Sequence, residues 1–183
     1  MGEIRCPPDC GYLATAREHP PAVTLRRHQQ DVDAAVQLLR DFNERQTRLF
    51  FLVATFISRY QPSELHSLVD ADIAEASAAL AATYETASRG VIYEHQATST
   101  SGARLAAALK GLLAEAGQGG GTPFERDTAL VLRRLEGAAR NPHRDPNSPR
   151  LLVEMLARIT APSGNDRGSP ASASEEPSRL IVP

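Results

Sequence analysis

Between Val32 and Tyr60, side chains recur at steps of three and four without a break: Val32, Ala35, Leu39, Phe42, Gln46, Leu49, Val53, Phe56 and Tyr60. All but Gln46 are apolar or aromatic. That spacing draws one stripe along an α-helix, the seam by which a bundle helix seats against its neighbours. It leaves little room for a sheet protein, because strands run only about 3–10 residues and alternate at every second position. The pattern predicts a single long helix from about Ala22 or Thr24 to Tyr60. Gln61-Pro62 ends it, since proline drives the residue before it out of helical geometry. From Leu49 to Ile57 the helix is apolar all round, so this half is expected in the centre of the fold. Those nine residues, flanked by Arg48 and Arg59, fall far short of the roughly 20 needed to span a bilayer.

Shorter ladders supply the remaining helices. Ile73, Ala76, Leu80, Thr83 and Ala87 predict a second helix from about Ser63 or Ser67 to Arg89, with Ser67 and Asp70 as its capping pair. Eight of residues 71–87 are alanine. Such small side chains let helices approach closely, so this helix is expected tight against the first. Gly90 suits the left-handed position after a helix end. Leu105, Ala108, Leu109, Leu112 and Leu113 predict a third helix over about 101–116, followed by a glycine-rich linker at 117–121. Thr122-Pro123-Phe124-Glu125 combines cap, proline and glutamate at a helix start. Phe124, Thr128, Val131, Leu135 and Ala138 carry that fourth helix to about residue 140, and a short fifth spans Pro149 to Ile159. The expected fold class is all-α: a helical bundle of four main helices plus a short fifth, over residues 23–160. Residues 1–22, with both cysteines and four prolines, form an irregular lead-in. Residues 161–183, dominated by Ser, Pro, Gly, Asp and Glu, read as a disordered tail.

Composition narrows the classes of function. Hydrophobic residues make up 42% and charged residues 23% of the 183, enough for a folded core. A net charge of −2 and a pI near 6.2 give no bulk drive toward nucleic acid or an anionic membrane. The start Met1-Gly2-Glu3-Ile4-Arg5-Cys6 lacks the basic and apolar regions of a signal peptide, and Cys6 stands where a myristoylation motif wants Ser or Thr. A cytoplasmic protein without membrane attachment is expected.

Cys6-Pro7-Pro8-Asp9-Cys10-Gly11 is the most informative short stretch. Its prolines prevent a helix, and Gly11 lets backbone N–H groups approach the second sulfur, as zinc knuckles do to steady thiolates. A tetrahedral site needs two further ligands. His19 and His28 are the nearest, with Asp9 a poorer donor. Against zinc stand a disulfide closing the short loop and two plain thiols, and the plain thiols lead. Zinc is the one cofactor that the residues bring forward.

Tyr93-Glu94-His95 follows a helix end, where Glu94 is able to orient His95 for acid–base work beside Ser99 and Ser101. No nucleophile elbow accompanies them, and a loop anchored by Tyr93 packing and a Glu94–His95 hydrogen bond is the plainer expectation. No Glu is followed three places on by His, which removes the di-iron bundle pattern. The glycines at 117–121 lack the Lys-Ser/Thr of a phosphate loop. Arg126, Arg133 and Arg140 recur every seven residues, with Arg134 and Arg144 beside them, a stripe suited to an anion or an acidic partner. Glu125, Asp127, Glu136 and Asp145 dilute it and no aromatic side chains interleave, so a solvated face with ion pairs is favoured over nucleic acid. Leu180-Ile181-Val182-Pro183 follows the acidic, proline-bearing Glu175-Glu176-Pro177, a pattern suited to docking in a groove on this protein or another.

The leading expectation is a non-enzymatic helical bundle that acts through protein–protein contacts, as a regulator, an assembly partner or by self-association. The cysteine element is its candidate metal feature. One alternative is a small enzyme or ligand-binding bundle built on Tyr93-Glu94-His95. Another is a nucleic-acid-associated regulator using the arginine stripe.

Overall fold

A computed structural model describes residues 22–62, 67–118, 121–140 and 148–161. The lead-in through residue 21 and the tail from residue 162 lie outside the described residues. The described residues form six helices and no strand: α1 (Ala22–Leu39), α2 (Glu44–Arg59), α3 (Asp70–Ala87), α4 (Thr100–Ala116), α5 (Gly121–Ala139) and α6 (Leu151–Ile159). The fold is all-α, with one helix more than the ladders predict.

The additional helix arises because the long first helix is broken. Asp41 takes a left-handed backbone with φ 68°, which Asp tolerates better than most side chains. Asn43 then starts α2 with a reciprocal cap. Its Oδ1 accepts from Gln46 N at 2.9 Å, and Gln46 Oε1 accepts from Asn43 N at 3.0 Å. Two otherwise orphaned N–H groups are satisfied at once. Gln46, the one polar rung of the ladder, is the third residue of this capping box, and its Nε2 also donates to Asp127 Oδ1 on α5 at 2.8 Å.

The centre of the fold is α3 rather than the 49–57 half of the ladder. It packs most extensively on α5 and next on α4, with Ile73, Ala76, Ser77 and Ala81 fully buried. Its alanines do permit close approach, but to α5 and not to the first helix, because the break at Asp41–Asn43 turns α2 onto α6 instead. Near the end of α3, Tyr84 meets Phe124 at the start of α5 edge-on at 6.4 Å, so the two helices run antiparallel. Glu85 joins them further through Arg133, at 2.7 and 2.8 Å.

Helix ends are fastened by specific polar contacts. In α3, which begins at Asp70 and not at Ser67, Asp72 Oδ2 accepts from Val69 N at 3.1 Å. Gly90, with φ 80°, supplies the left-handed turn after α3, and Val91 N donates across it to Thr86 O at 3.0 Å. Ser99 caps α4 by accepting from Gly102 N at 3.1 Å, while its own N–H donates to Glu75 Oε2 at 2.7 Å. Gly102 is buried where a Cβ would sit 3.1 Å from Glu75 Cβ, so glycine is what lets α4 enter this close to α3. Asp70 on α3 caps the start of α6, accepting from Leu152 N and Val153 N. At the other end of α6, Arg158 holds the buried Asp31 of α1 at 2.5 and 2.9 Å. One core unites Phe50 and Ile57 of α2, Ile73 of α3, Leu109 of α4, Leu132 of α5 and Leu156 of α6.

Candidate functional site

α2 is apolar on every side over residues 49–57, but its neighbours cover only part of it. Successive helical residues turn by about 100°. Phe50, Val53, Ala54 and Ile57 therefore share the face that enters the core, and all four are buried. Phe51 and Leu52 look outward and stay 39% and 37% exposed. A helix that is hydrophobic all round is ordinarily covered all round. Among the described residues no helix packs over the open face: α2 and α4 are not among the closely packed helix pairs, and a groove of about 720 Å³ lies between them.

The groove has an apolar floor and a basic rim. Phe51, Leu52 and Phe56 of α2 face Leu112 of α4 across it, and Arg48 and Arg59 lie along it with Thr55, Tyr60 and Gln61. The Phe56 and Tyr60 rings, 5.9 Å apart, form one wall. Arg48 and Arg59 are separated by about 16 Å along the helix at 1.5 Å per residue. Beyond Arg48 the surface continues into a recess of about 330 Å³ with Arg45, Leu49, Ala116 and Phe124. Beyond Tyr60 it continues into one of about 370 Å³ with Leu68, Asp72 and Arg104. Among the described residues no carboxylate lines the groove or the Arg45 recess. Arg48 does pair with Glu44 one turn earlier on the same helix, and Arg45 reaches Asp127 at 3.5 Å. The surface presents apolar side chains flanked by arginines.

The residues singled out from sequence fall elsewhere. Cys6, Cys10 and His19 lie outside the described residues, and His28 is exposed on α1. Among the described residues, no group of three or more His, Cys, Asp or Glu is placed to hold a metal ion. Tyr93 and His95 stack edge-to-face at 4.7 Å, and His95 N donates to Thr83 Oγ1 at 2.9 Å. Glu94 reaches Lys110 Nζ on α4 at 2.7 Å. Ser99 is the α4 cap, and Ser101 donates to Asp72 Oδ1.

The arginine stripe is largely engaged within the fold. Arg133 is held between Glu85 and Glu136, and its guanidinium pKa is driven up by the hydrogen bonds to Glu85 first and Glu136 second. The same contact holds the Glu85 carboxyl below its usual range. Arg134 donates to the carbonyls of Gln37, Leu38 and Arg40 at the end of α1 and lies 5.2 Å over the Phe42 ring. Arg140 reaches Glu136 at 3.3 Å. Arg126 is exposed, and Arg144 lies outside the described residues.

The groove residues were visible in the sequence only as core. Their signal was the conjunction of an all-round apolar segment with an arginine at each end. Among the described residues no helix is long and apolar enough to cross a membrane. Comparison of the chain with protein-family models, with curated proteins and with solved structures found no match.

Proposed function

We propose that this chain is a non-enzymatic contact protein whose α2–α4 groove receives an apolar peptide segment carrying acidic residues, in the role of a regulator or assembly partner. The observation that carries this reading is the open face of α2. Phe51 and Leu52 belong to the most apolar stretch of the chain, yet among the described residues they stay more than a third exposed. Exposed apolar surface rimmed by polar groups marks binding sites. An extended or helical peptide with two or three apolar anchors fits a groove of this length. Arg48 and Arg59 favour carboxylates on that peptide, because guanidinium forks match them and like charges would be penalised.

The test is selection of random displayed peptides on the full chain, with a Leu52→Glu variant as counter-selection. Leu52 is exposed on the groove floor and lies outside the buried core, so its substitution leaves the core intact. The reading expects enriched peptides that combine Leu, Ile, Val or Phe with Asp or Glu, and expects their loss on the variant. Enrichment that ignores Leu52→Glu, or that favours basic peptides, would overturn it.

A further inference from the structure

We propose that the outer face of α1 is a self-association surface, through which two copies of this chain pair by antiparallel packing of their α1 helices. α1 presents two faces. On one, Asp31 is buried and held by Arg158, and Ala34, Leu38 and Leu39 pack against the core. The other carries Leu25, Gln29, Val32 and Val36, at steps of four, three and four. At about 100° per residue these four fall within about 60° of one another, as the seam of a two-stranded coiled coil does. Leu25 is 58%, Val32 39% and Val36 60% exposed, so among the described residues nothing covers this seam.

α1 also outruns its support. The helix packs on α6 and α5, yet every residue from Leu25 to Gln30 is exposed. Helical turns with no tertiary packing are marginal in water, and a second helix along the seam supplies the packing that the body of the fold does not. The seam is bordered by exposed polar residues, Arg26, Asp33 and Gln37 among them, which is the pattern of an interaction face.

The charges beside the seam identify the partner as a second copy. Arg26 and Asp33 lie seven residues apart and flank the seam on one side, the side away from Asp31. In an antiparallel pair, Leu25 meets the partner's Val36 and Gln29 meets the partner's Val32, and two-fold symmetry repeats both contacts. That register brings Arg26 to the partner's Asp33 and Asp33 to the partner's Arg26. One surface is thus complementary to itself, with two ion pairs across the contact. Gln29 Nε2 donates to Asp33 Oδ1 at 2.9 Å, which turns the one polar seam residue toward the ion pair and away from Val32. A parallel pair sets Gln29 against the partner's Gln29 and loses both ion pairs. Two heptads make a small contact of the transient class, for which a Kd on the order of 10 μM is expected.

The test is mass against concentration by sedimentation equilibrium on the full chain, in reductant so that neither Cys6 nor Cys10 links two copies. Between about 1 and 200 μM the mass should rise from 19.7 kDa to twice that value. Leu25→Glu/Val36→Glu should stay at the monomer mass with helical content unchanged by circular dichroism. Arg26→Asp and Asp33→Arg should each, alone, weaken association about tenfold or more, because each sets two like-charge pairs across the contact. Mixed in equal amounts, these two variants should associate as the unaltered chain does, since every pair between them is again opposite in charge. Recovery on mixing also shows that both variants are folded. Leu52→Glu, in the α2–α4 groove, should leave association unchanged, so the outcome is separate from that of the groove reading. A chain that remains monomeric at about 200 μM would overturn the proposal, as would doubling that survives Leu25→Glu/Val36→Glu or is lost in Leu52→Glu. A mixture of Arg26→Asp and Asp33→Arg that associates no better than either alone would overturn the antiparallel arrangement.

Discussion

Asp70 is the side chain on which the attachment of α6 depends most. The first N–H groups of a helix have no partner inside it, and α6 starts at Leu151 with Arg150 offering no side-chain cap. Asp70 reaches across from α3 to do this work. Its Oδ2 accepts from Leu152 N at 2.9 Å and its Oδ1 from Val153 N at 3.1 Å, while Asp70 N donates to Pro149 O at 2.8 Å. The residue is only 6% exposed, so water cannot readily replace it. Asp70→Ala leaves these amides buried and unpaired. A hydrogen bond to a charged group contributes about 1.5–3 kcal/mol, and a lost cap costs about 0.5–2 kcal/mol. We expect Asp70→Ala to destabilise by about 2–4 kcal/mol. Asp70→Asn, which keeps one acceptor oxygen but loses the charge, should cost about 1–2 kcal/mol. Urea unfolding monitored by circular dichroism reads the difference as a shift in midpoint at constant slope. Hydrogen exchange should quicken at Leu152 and Val153 before it does at Leu109. A loss below about 0.5 kcal/mol for Asp70→Ala, the range of ordinary surface changes, would refute the capping role.

Two positions on α2 should part company: Ile57→Ala, in the core, costs about 2–5 kcal/mol, whereas Leu52→Ala, in the open groove, costs under about 1 kcal/mol by the same unfolding assay. Glu75 is held below its ordinary value of 4.5, first by the backbone N–H of Ser99 and then by its hydroxyl. Its folded pKa being depressed, the stability it lends is present above about pH 4.5 and is lost as pH falls through the lower folded value, so Glu75→Gln should flatten the acid limb of a stability–pH curve. For the cysteine element, zinc held by Cys6 and Cys10 as thiolates would show as one metal per chain in native mass spectrometry. It would be lost in Cys6→Ser/Cys10→Ser and bound with proton release, whereas two freely titrating thiols would end the zinc reading.

Much of the helical architecture was legible because hydrophobic spacing and caps are local. Ser99 at the start of α4, Gly90 after α3 and the Phe124 ladder of α5 sit where their residue types place them. The break at Asp41–Asn43 was legible too, since Asn43-x-x-Gln46 is a capping box, but an unbroken ladder masked it. Other features were out of reach for a physical reason. The capping of α6 by Asp70 and the clamp of Asp31 by Arg158 join residues far apart in sequence, and spacing within one segment carries no record of such partners. The groove was hidden for the same cause. Leu52 and Val53 are equally apolar, and only the arrangement of α4 and α6 around α2 decides that one is covered and the other is not. For Arg133 and Arg134, too, a stripe on one helix could not reveal Glu85 or the carbonyls ending α1.

Methyl-labelled NMR of the full chain, titrated with a peptide selected on the groove, locates the binding surface residue by residue. Other exposed apolar residues compete as binding sites: Leu25, Val32 and Val36 on α1, Val91 after α3, and Leu130 on α5. Shifts should concentrate on the methyls of Leu52 and Leu112, with those of Leu25, Val36, Val91 and Leu130 unmoved. Shifts centred on α1 or on residues 91–93, with Leu52 and Leu112 silent, would contradict the groove reading.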